Sequence, residues 1–359
     1  MQGLRGLVII NGTAFRERAD MNGYERILSV LEGGDADRLP YMPITMMFAA
    51  DQLGIKYGEY ASDYRKLVEA QLLTAERFDF DYVSVISDPA REATDCGACV
   101  HLYDDQPPAL DENNSLLREK STLVGLEIPD PLKEGRMLDR VRAAELFADQ
   151  VKGELLIEGW VEGPMAESAD LRGINTIMMD FFTDPSFVKE MFEFSVEMGL
   201  RFGKAQVDTG VDIIGLGDAA ASLVGPELYR EFVLPYEKRL IDGLHAMGTK
   251  VRLHICGNTS QMLEDMGTLG ADFVDLDSLA PIAQARAAMG PSQVLTGNID
   301  PVDVLRNGTP ERIHEELTKC ADEAGRAYVV AAGCEVPRDT PLENLNAMRD
   351  FARSRTPGQ

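Results

Sequence analysis

Short runs of β-branched and aliphatic residues recur along the chain, each followed by a polar loop and then by a stretch whose apolar positions repeat at helical spacing. Eight such runs stand out: LPYMPIT (39–45), YVSVIS (82–87), LLIEGWV (155–161), VDIIGLG (211–217), KVRLHIC (250–256), DFVDLD (272–277), QVLTGN (293–298) and AYVVAAG (327–333). Helix-starting signals fill the gaps between them. Asp63 precedes YRKLVEAQLLTAERF, Asp184 and Pro185 precede SFVKEMFEFSVEMGLRFGKAQV, Gly225 and Pro226 precede ELYREFVLPYEKRLIDGLHAM, and Thr340 and Pro341 precede LENLNAMRDFAR. Repeated strand-then-helix units predict an α/β fold, a single (β/α)8 TIM barrel, with its chemistry in the loops that leave the C-terminal ends of the strands.

Two segments fall outside the repeat. Residues 1–20 contain one apolar run, Leu7 to Ile10, too brief for a signal-peptide core and followed by charges; they are expected to be a peripheral arm, with 21–355 the barrel domain. Between about Ala90 and Leu155 the stretches DDQPPALDENN and LEIPDPLKEG predict an inserted lid after the second run. A chain of 359 residues with 45% hydrophobic content can bury a large core. Its formal charge of -25 sets it against nucleic acid and anionic membrane surfaces. No stretch approaches the roughly 20 apolar residues of a membrane span. Five scattered cysteines, an odd number, do not form a disulfide framework and point to reduced thiols and a cytoplasmic setting.

Chemistry-bearing residues collect where such a barrel would use them. His254 and Cys256 end the fifth run, Asp275 and Asp277 lie on the sixth, Asn298 follows the seventh and Cys334 follows the eighth. Imidazole and thiolate favour Zn2+ over Mg2+ or Ca2+, and three protein ligands leave a fourth position open for a reacting group. On its own, a strand-end histidine beside a cysteine is more often a packed polar residue than a ligand. A second cluster, CGACVH, offers Cys96, Cys99 and His101 but lacks a fourth donor and sits in the expected insert, where loop packing accounts for it as well. Met46, Met47, Met178 and Met179 either fill the core or line a cavity, and no role is assigned to them.

LHICGNTSQML, together with VVAAGCEVPRDTPLENLNAM, resembles the zinc motif of the corrinoid-dependent methyltransferases of the methylcobamide:coenzyme M type and their demethylating relatives. These belong to the uroporphyrinogen decarboxylase superfamily. The resemblance runs from NGYERILSVLEGGDADRLPYMP (22–43) through DPAREATDCGA, DAAASLVGPELYREFVLPYEKRL and GNIDP to the C-terminal helix, nearly all of the chain after Met21. It implies a barrel of the uroporphyrinogen decarboxylase type with His254, Cys256 and Cys334 as zinc ligands. It also places Glu92, in an E-A-x-x-x-G element, near the site as a further ligand or proton acceptor. Asp277 either orients His254, binds metal when substrate is absent, or caps the next helix, and Asp218 is a similar case; both join Glu92 as candidate catalytic residues, with Asn298 a candidate substrate contact.

The implied reaction moves a methyl group between a small substrate, a methoxylated compound or a thiol, and the cobalt of a corrinoid. The D-x-H-x-x-G element that holds a corrinoid is absent, since DGLHAMG (242–248) has one residue too many. A separate corrinoid-binding protein is therefore the expected partner, and a homodimer stays open. One alternative is decarboxylation of uroporphyrinogen. There the decarboxylases carry an R-Q-A-G-R segment, whereas this chain has YMPITMMFAADQLG and no arginine between Arg38 and Arg65. Another is a barrel without turnover that binds a ligand or a partner.

Overall fold

Seven of the eight apolar runs form one continuous parallel sheet in the computed structural model, which describes residues 7–10, 13–16 and 20–359. The strands are β1 (Tyr82–Ser84), β2 (Leu156–Glu162), β3 (Ile213–Gly217), β4 (Lys250–Ile255), β5 (Phe273–Leu276), β6 (Val294–Ile299) and β7 (Tyr328–Ala332). Each pairs with the next in chain order, which is the topology that helical crossovers between parallel strands produce. The arm expected over residues 1–20 lies mostly outside the described residues; within it, Leu7–Ile10 pairs antiparallel with Thr13–Arg16.

The first run closes the ring without becoming a regular strand. The Met42 N–H donates to the Val330 carbonyl (3.0 Å), the Val330 N–H to the Pro40 carbonyl (2.8 Å), and on the other side the Asp81 N–H to the Tyr41 carbonyl (3.0 Å). Pro40 and Pro43 have no N–H to give, so a longer ladder cannot form on this segment. Asp81 fastens the seam further: its carboxylate accepts the Tyr41 N–H at 2.7 Å and bonds Arg26 and Arg38. Burial raises its pKa to about 6, against the pull of both arginines.

Around the sheet lie α1 (Gly23–Leu31), α2 (Tyr64–Phe78), α3 (Arg136–Val151), α4 (Pro164–Arg172), α5 (Pro185–Val207), α6 (Leu234–Ala246), α7 (Ile282–Met289), α8 (Pro310–Ala324) and α9 (Leu342–Ser354). Asp63 and Asp184 cap α2 and α5 as their positions suggest. The single helix expected from Gly225 is instead interrupted. Gly225–Leu228 gives way to a π-helical stretch, Tyr229–Val233, before α6 resumes. Pro235, in the first turn of α6, cannot donate to the preceding turn, and the widened stretch absorbs that loss.

The insert is shorter than the composition suggested. α3 is an ordinary barrel helix, so the added material lies between the short helix Arg91–Asp95 and Gly135, and it includes a small ribbon of Val100–His101 with Ala109–Leu110. Several bonds tie the insert down, among them the Leu117 N–H to the Leu171 carbonyl (2.9 Å), the Gly58 N–H to the Asp104 carbonyl (2.9 Å), and Arg338, in the loop after β7, to Asp105 (3.3 Å). No helix among the described residues is long and apolar enough to cross a membrane.

Candidate metal centre

At the barrel axis the core is charged rather than apolar. Arg252, on β4 and 1% exposed, reaches Asp275 on β5 at 2.9 Å and Glu158 on β2 at 3.2 Å, with its guanidinium over the Tyr82 ring. A buried guanidinium needs this compensation, since an unpaired one would cost several kcal/mol. Asp275 then passes the order outward to His254, whose Nδ1 lies 3.1 Å from its Oδ2. Burial would raise the Asp275 pKa, but Arg252 and His254 together hold it below the usual carboxylate value.

With Nδ1 engaged by a carboxylate, Nε2 of His254 faces the mouth of the barrel. It lies 3.0 Å from Cys256 Sγ and 3.9 Å from Cys334 Sγ, and the two sulfurs are 3.5 Å apart. Tetrahedral zinc, with bonds of about 2.3 Å to sulfur and about 2.0 Å to nitrogen, sets its ligands roughly 3.5–3.8 Å from one another; the two separations from Cys334 lie close to that range, and the His254–Cys256 pair would have to open by about 0.5 Å to admit the ion. This triangle is the one group of three such donors within 4.8 Å of each other among the described residues. The contact with Cys256, with His254 alongside, holds the Cys334 thiol down to about 4, while the same contact and burial push the Cys256 thiol up. Burial alone would lower His254, but Cys256 and Asp275 keep it well above its ordinary value. A divalent cation that displaces the protons on these donors satisfies all three groups at once.

The sequence-derived candidates occupy distinct places around this triangle. Asp277 does not orient His254; Asp275 does. Asp277 instead accepts the Gly257 N–H at 2.8 Å and the Leu279 N–H at 2.9 Å, fixing the turn that follows Cys256. Gly257 has φ +89°, so a side chain there would be strained. Asp218, fully buried, accepts the Ala166 N–H at 2.6 Å and the Met165 N–H at 3.3 Å, and thus ties the end of β3 to the first turn of α4. Burial raises it to about 6. Glu92 accepts the Glu162 N–H at 3.0 Å and pairs with Arg91, which also binds Glu162 at 2.7 Å. Asn298 spends its amide nitrogen on the carbonyls of Asp277 (2.7 Å) and Ala280 (2.8 Å), bracing the loop after β5. The second cysteine cluster does not converge: Cys96 packs its sulfur against Met198, Cys99 is exposed and His101 sits beside Asp111.

A cavity of about 170 Å³ opens on His254, Cys256 and Cys334. Ile44, Met46, Ile86 and Trp160 give it apolar walls, while Asp88, Glu162 and Glu335 supply carboxyls. Trp160 donates its indole N–H to Glu162 at 3.1 Å. Burial, opposed by Arg91 and reinforced by Glu92, raises Glu162 well above its normal value, and burial lifts Glu335 to about 7. Trp160, Glu162 and Glu335 were not among the residues singled out from sequence. For Trp160 and Glu162 the signal is alternation along β2, where they share the parity of Glu158 and so face the barrel interior; for Glu335 it is its place directly after Cys334.

A parallel barrel with a His/Cys/Cys triangle at the C-terminal ends of its strands, backed by a carboxylate and fronted by a cavity, is a barrel enzyme with a candidate metal centre. The chain belongs to the uroporphyrinogen decarboxylase family, whose model matches residues 22–355. It is 28% identical to the methylcobamide:CoM methyltransferase of Methanosarcina mazei over 92% of this chain and 97% of that protein. It is 25% identical to a uroporphyrinogen decarboxylase from a Synechococcus species over 92% of each. Among solved structures, a methyltransferase from Methanosarcina mazei superposes with a TM-score of 0.84 at 21% identity, covering 93% of this chain and 98% of that one. The expected family is thus borne out, as is the barrel.

Proposed function

We propose that this protein is a zinc-dependent methyltransferase that moves a methyl group between the cobalt of a corrinoid, carried by a separate protein, and a small thiol held at the barrel mouth. The convergence of His254, Cys256 and Cys334 beside a cavity supports this most directly. Similarity to methylcobamide:CoM methyltransferases supports the corrinoid half of the reaction. Zinc on these three ligands would lower the pKa of a substrate thiol so that a thiolate is present at neutral pH.

The chain's own residues supply alignment. Asp275 fixes the His254 ring and its tautomer through Nδ1. Asp277 and Asn298 hold the turns on either side of the mouth, and Asp218 locks β3 to α4. Glu92 positions Glu162 through its backbone and the shared Arg91. Apolar walls from Ile44, Ile86 and Trp160 keep water from the thiolate. The thiol proton leaves to a carboxyl of the cavity; Glu335 is the candidate acceptor.

The partner would have to present its corrinoid over the same mouth. Leu223, Leu279, Val302 and Leu342, exposed on the segments after β3, β5, β6 and β7, give that rim an apolar character suited to a protein partner. Decarboxylation of a polyanionic macrocycle is disfavoured, because Arg38, the last arginine before Arg65, is buried in the barrel seam with Asp79 and Asp81. Metal analysis with a methyl-transfer assay from methylcobalamin to small thiols tests the reading. One zinc per chain and zinc-dependent demethylation of the corrinoid are expected; purified protein that binds no zinc, or zinc protein that leaves methylcobalamin intact with every thiol, overturns it.

A further inference from the structure

A thiol that binds a metal as thiolate gives up a proton, and that proton has to leave the cavity at the donors. Glu335 lines this cavity and not its neighbour, whereas Glu162 lines both. The neighbour, of about 290 Å³, shares Pro89, Glu162 and Ala219 with the first and runs under the insert to Glu112, which is exposed. Asp170 stands on its wall. A partner seated over the mouth closes the direct route to solvent and leaves this side route.

Between Glu162 and Asp170 a group of acids surrounds one guanidinium. Arg91, fully buried, donates through Nη2 to Glu162 Oε1 at 2.7 Å and through Nε to Glu92 Oε2 at 3.3 Å. Trp160 donates to the same Oε1 of Glu162, which leaves Oε2 to the cavities. Glu167, in the first turn of α4, and Asp170, three residues on and so on the same side of the helix, complete the group. One guanidinium balances one carboxylate, and burial, reinforced by the neighbouring acids, raises Glu162, Glu167 and Asp170 well above the ordinary carboxyl range. Among the described residues, Arg91 Nη1, both oxygens of Glu167 and Asp170 Oδ2 are buried without a hydrogen-bond partner. Water satisfies a guanidinium N–H and carboxyl oxygens at once, and buried polar groups of this kind hold it. Neutral acids joined by water are a path along which a proton hops.

Resting on the reading of the site as a thiol-binding metal centre, we propose that Glu162, Glu167 and Asp170 form a relay that carries the thiol proton from the metal cavity into the second cavity and out beside Glu112. Glu162, which faces the substrate, is the catalytic member; Glu167 and Asp170 act through it. The thiol S–H bond breaks with its electron pair left on sulfur, and the proton crosses to Glu162 Oε2, whether straight from sulfur or handed on by Glu335. Glu162 passes a proton to Glu167, and Asp170 releases one to water in the second cavity. The acids end with the protons they began with, and nothing is oxidised or reduced.

The test uses protein loaded with Co2+ in place of zinc and mixed rapidly with 2-mercaptoethanol at about pH 6.5, where the thiol enters protonated. Cobalt absorption bands report thiolate ligation, and an indicator dye reports the proton reaching solution. Asp170→Asn and Glu167→Gln, neither of which lines the metal cavity, are expected to slow both signals about tenfold or more while affinity changes less than about twofold. A hindered pyridine base, too crowded at nitrogen to bind cobalt, is expected to restore the rate, which it could not do for a merely structural defect. In the metal-free protein at neutral pH, the infrared C=O stretch of neutral carboxyls is expected to be present and to weaken in each variant. Wild-type rates in both variants, slowing that the mobile base does not relieve, or no neutral-carboxyl signal overturns the relay. A wild-type cobalt spectrum that ignores the thiol sinks the thiol-binding reading and the relay with it. Normal ligation without methyl transfer from methylcobalamin sinks the methyltransferase reading and leaves the relay standing.

Discussion

Asp275 and Asp277 show what a single residue's neighbours decide. Both stand on the same face of one run, because side chains two apart on a strand point the same way. From the sequence, either could have served His254. Strand register settles the choice: His254 lies opposite Asp275, and Asp277 is carried one step outward, to the level of Gly257. The three metal donors were legible because they sit in local motifs, H-x-C and G-C. Their supporting carboxylate was not, because it depends on pairing between strands. Asp275→Asn is expected to weaken zinc binding about 10–100-fold while the barrel stays folded, measured by competition with a chromophoric chelator; unchanged affinity would show that the carboxylate is idle. His254→Ala and Cys334→Ala are expected to lose stoichiometric zinc while circular dichroism retains the helical signal. Retention of one zinc per chain in both would sink the ligand assignment.

At the level of elements, strand and helix positions followed the apolar periodicity closely, and the departures have local causes. Prolines stripped the first run of its ladder, and Pro235 broke the long helix before α6. The insert was overestimated because α3 follows a polar, proline-rich stretch that masks where regular structure resumes. One contact between elements carries a pH signature. Glu237 on α6 hydrogen-bonds Tyr229 and pairs with Asp218 at the end of β3. Burial, compounded by Asp218, raises Glu237 well above its ordinary value, and burial lifts Asp218 to about 6. Folded pKa values above the unfolded ones mean that the folded chain prefers the protonated pair. Its contribution is therefore full below the unfolded carboxylate range and is lost as pH rises past about 6. Glu237→Gln, which keeps a donor and an acceptor without the charge, is expected to raise unfolding stability at pH 8 by about 1–3 kcal/mol and to change it little at pH 5. Urea midpoints at the two pH values read this directly; equal shifts at both would show that the pair is not strained by ionisation.

For the molecule as a whole, closure of the ring depends on Pro40–Met42. Tyr41, fully buried, packs edge-on against Phe80 and donates its hydroxyl to the Leu345 carbonyl at 3.2 Å. Tyr41→Ala is expected to cost about 3–5 kcal/mol, with the Val330 amide losing its hydrogen-exchange protection earlier than amides in β3 and β4. A uniform loss of protection would mean that the seam is no weaker than the rest of the ring.

His254 lies on β4 and Cys256 follows it directly, whereas Cys334 follows β7, the strand that Pro40–Met42 fastens to. A cation gripped by all three would act as a rivet between the middle of the sheet and its closing edge. Bound at a thousand times its dissociation constant, it would add about 4 kcal/mol to the folded state. Chelation should therefore lower the melting temperature and loosen the Val330 region first, so that the ion needed for the chemistry also keeps the ring from springing open.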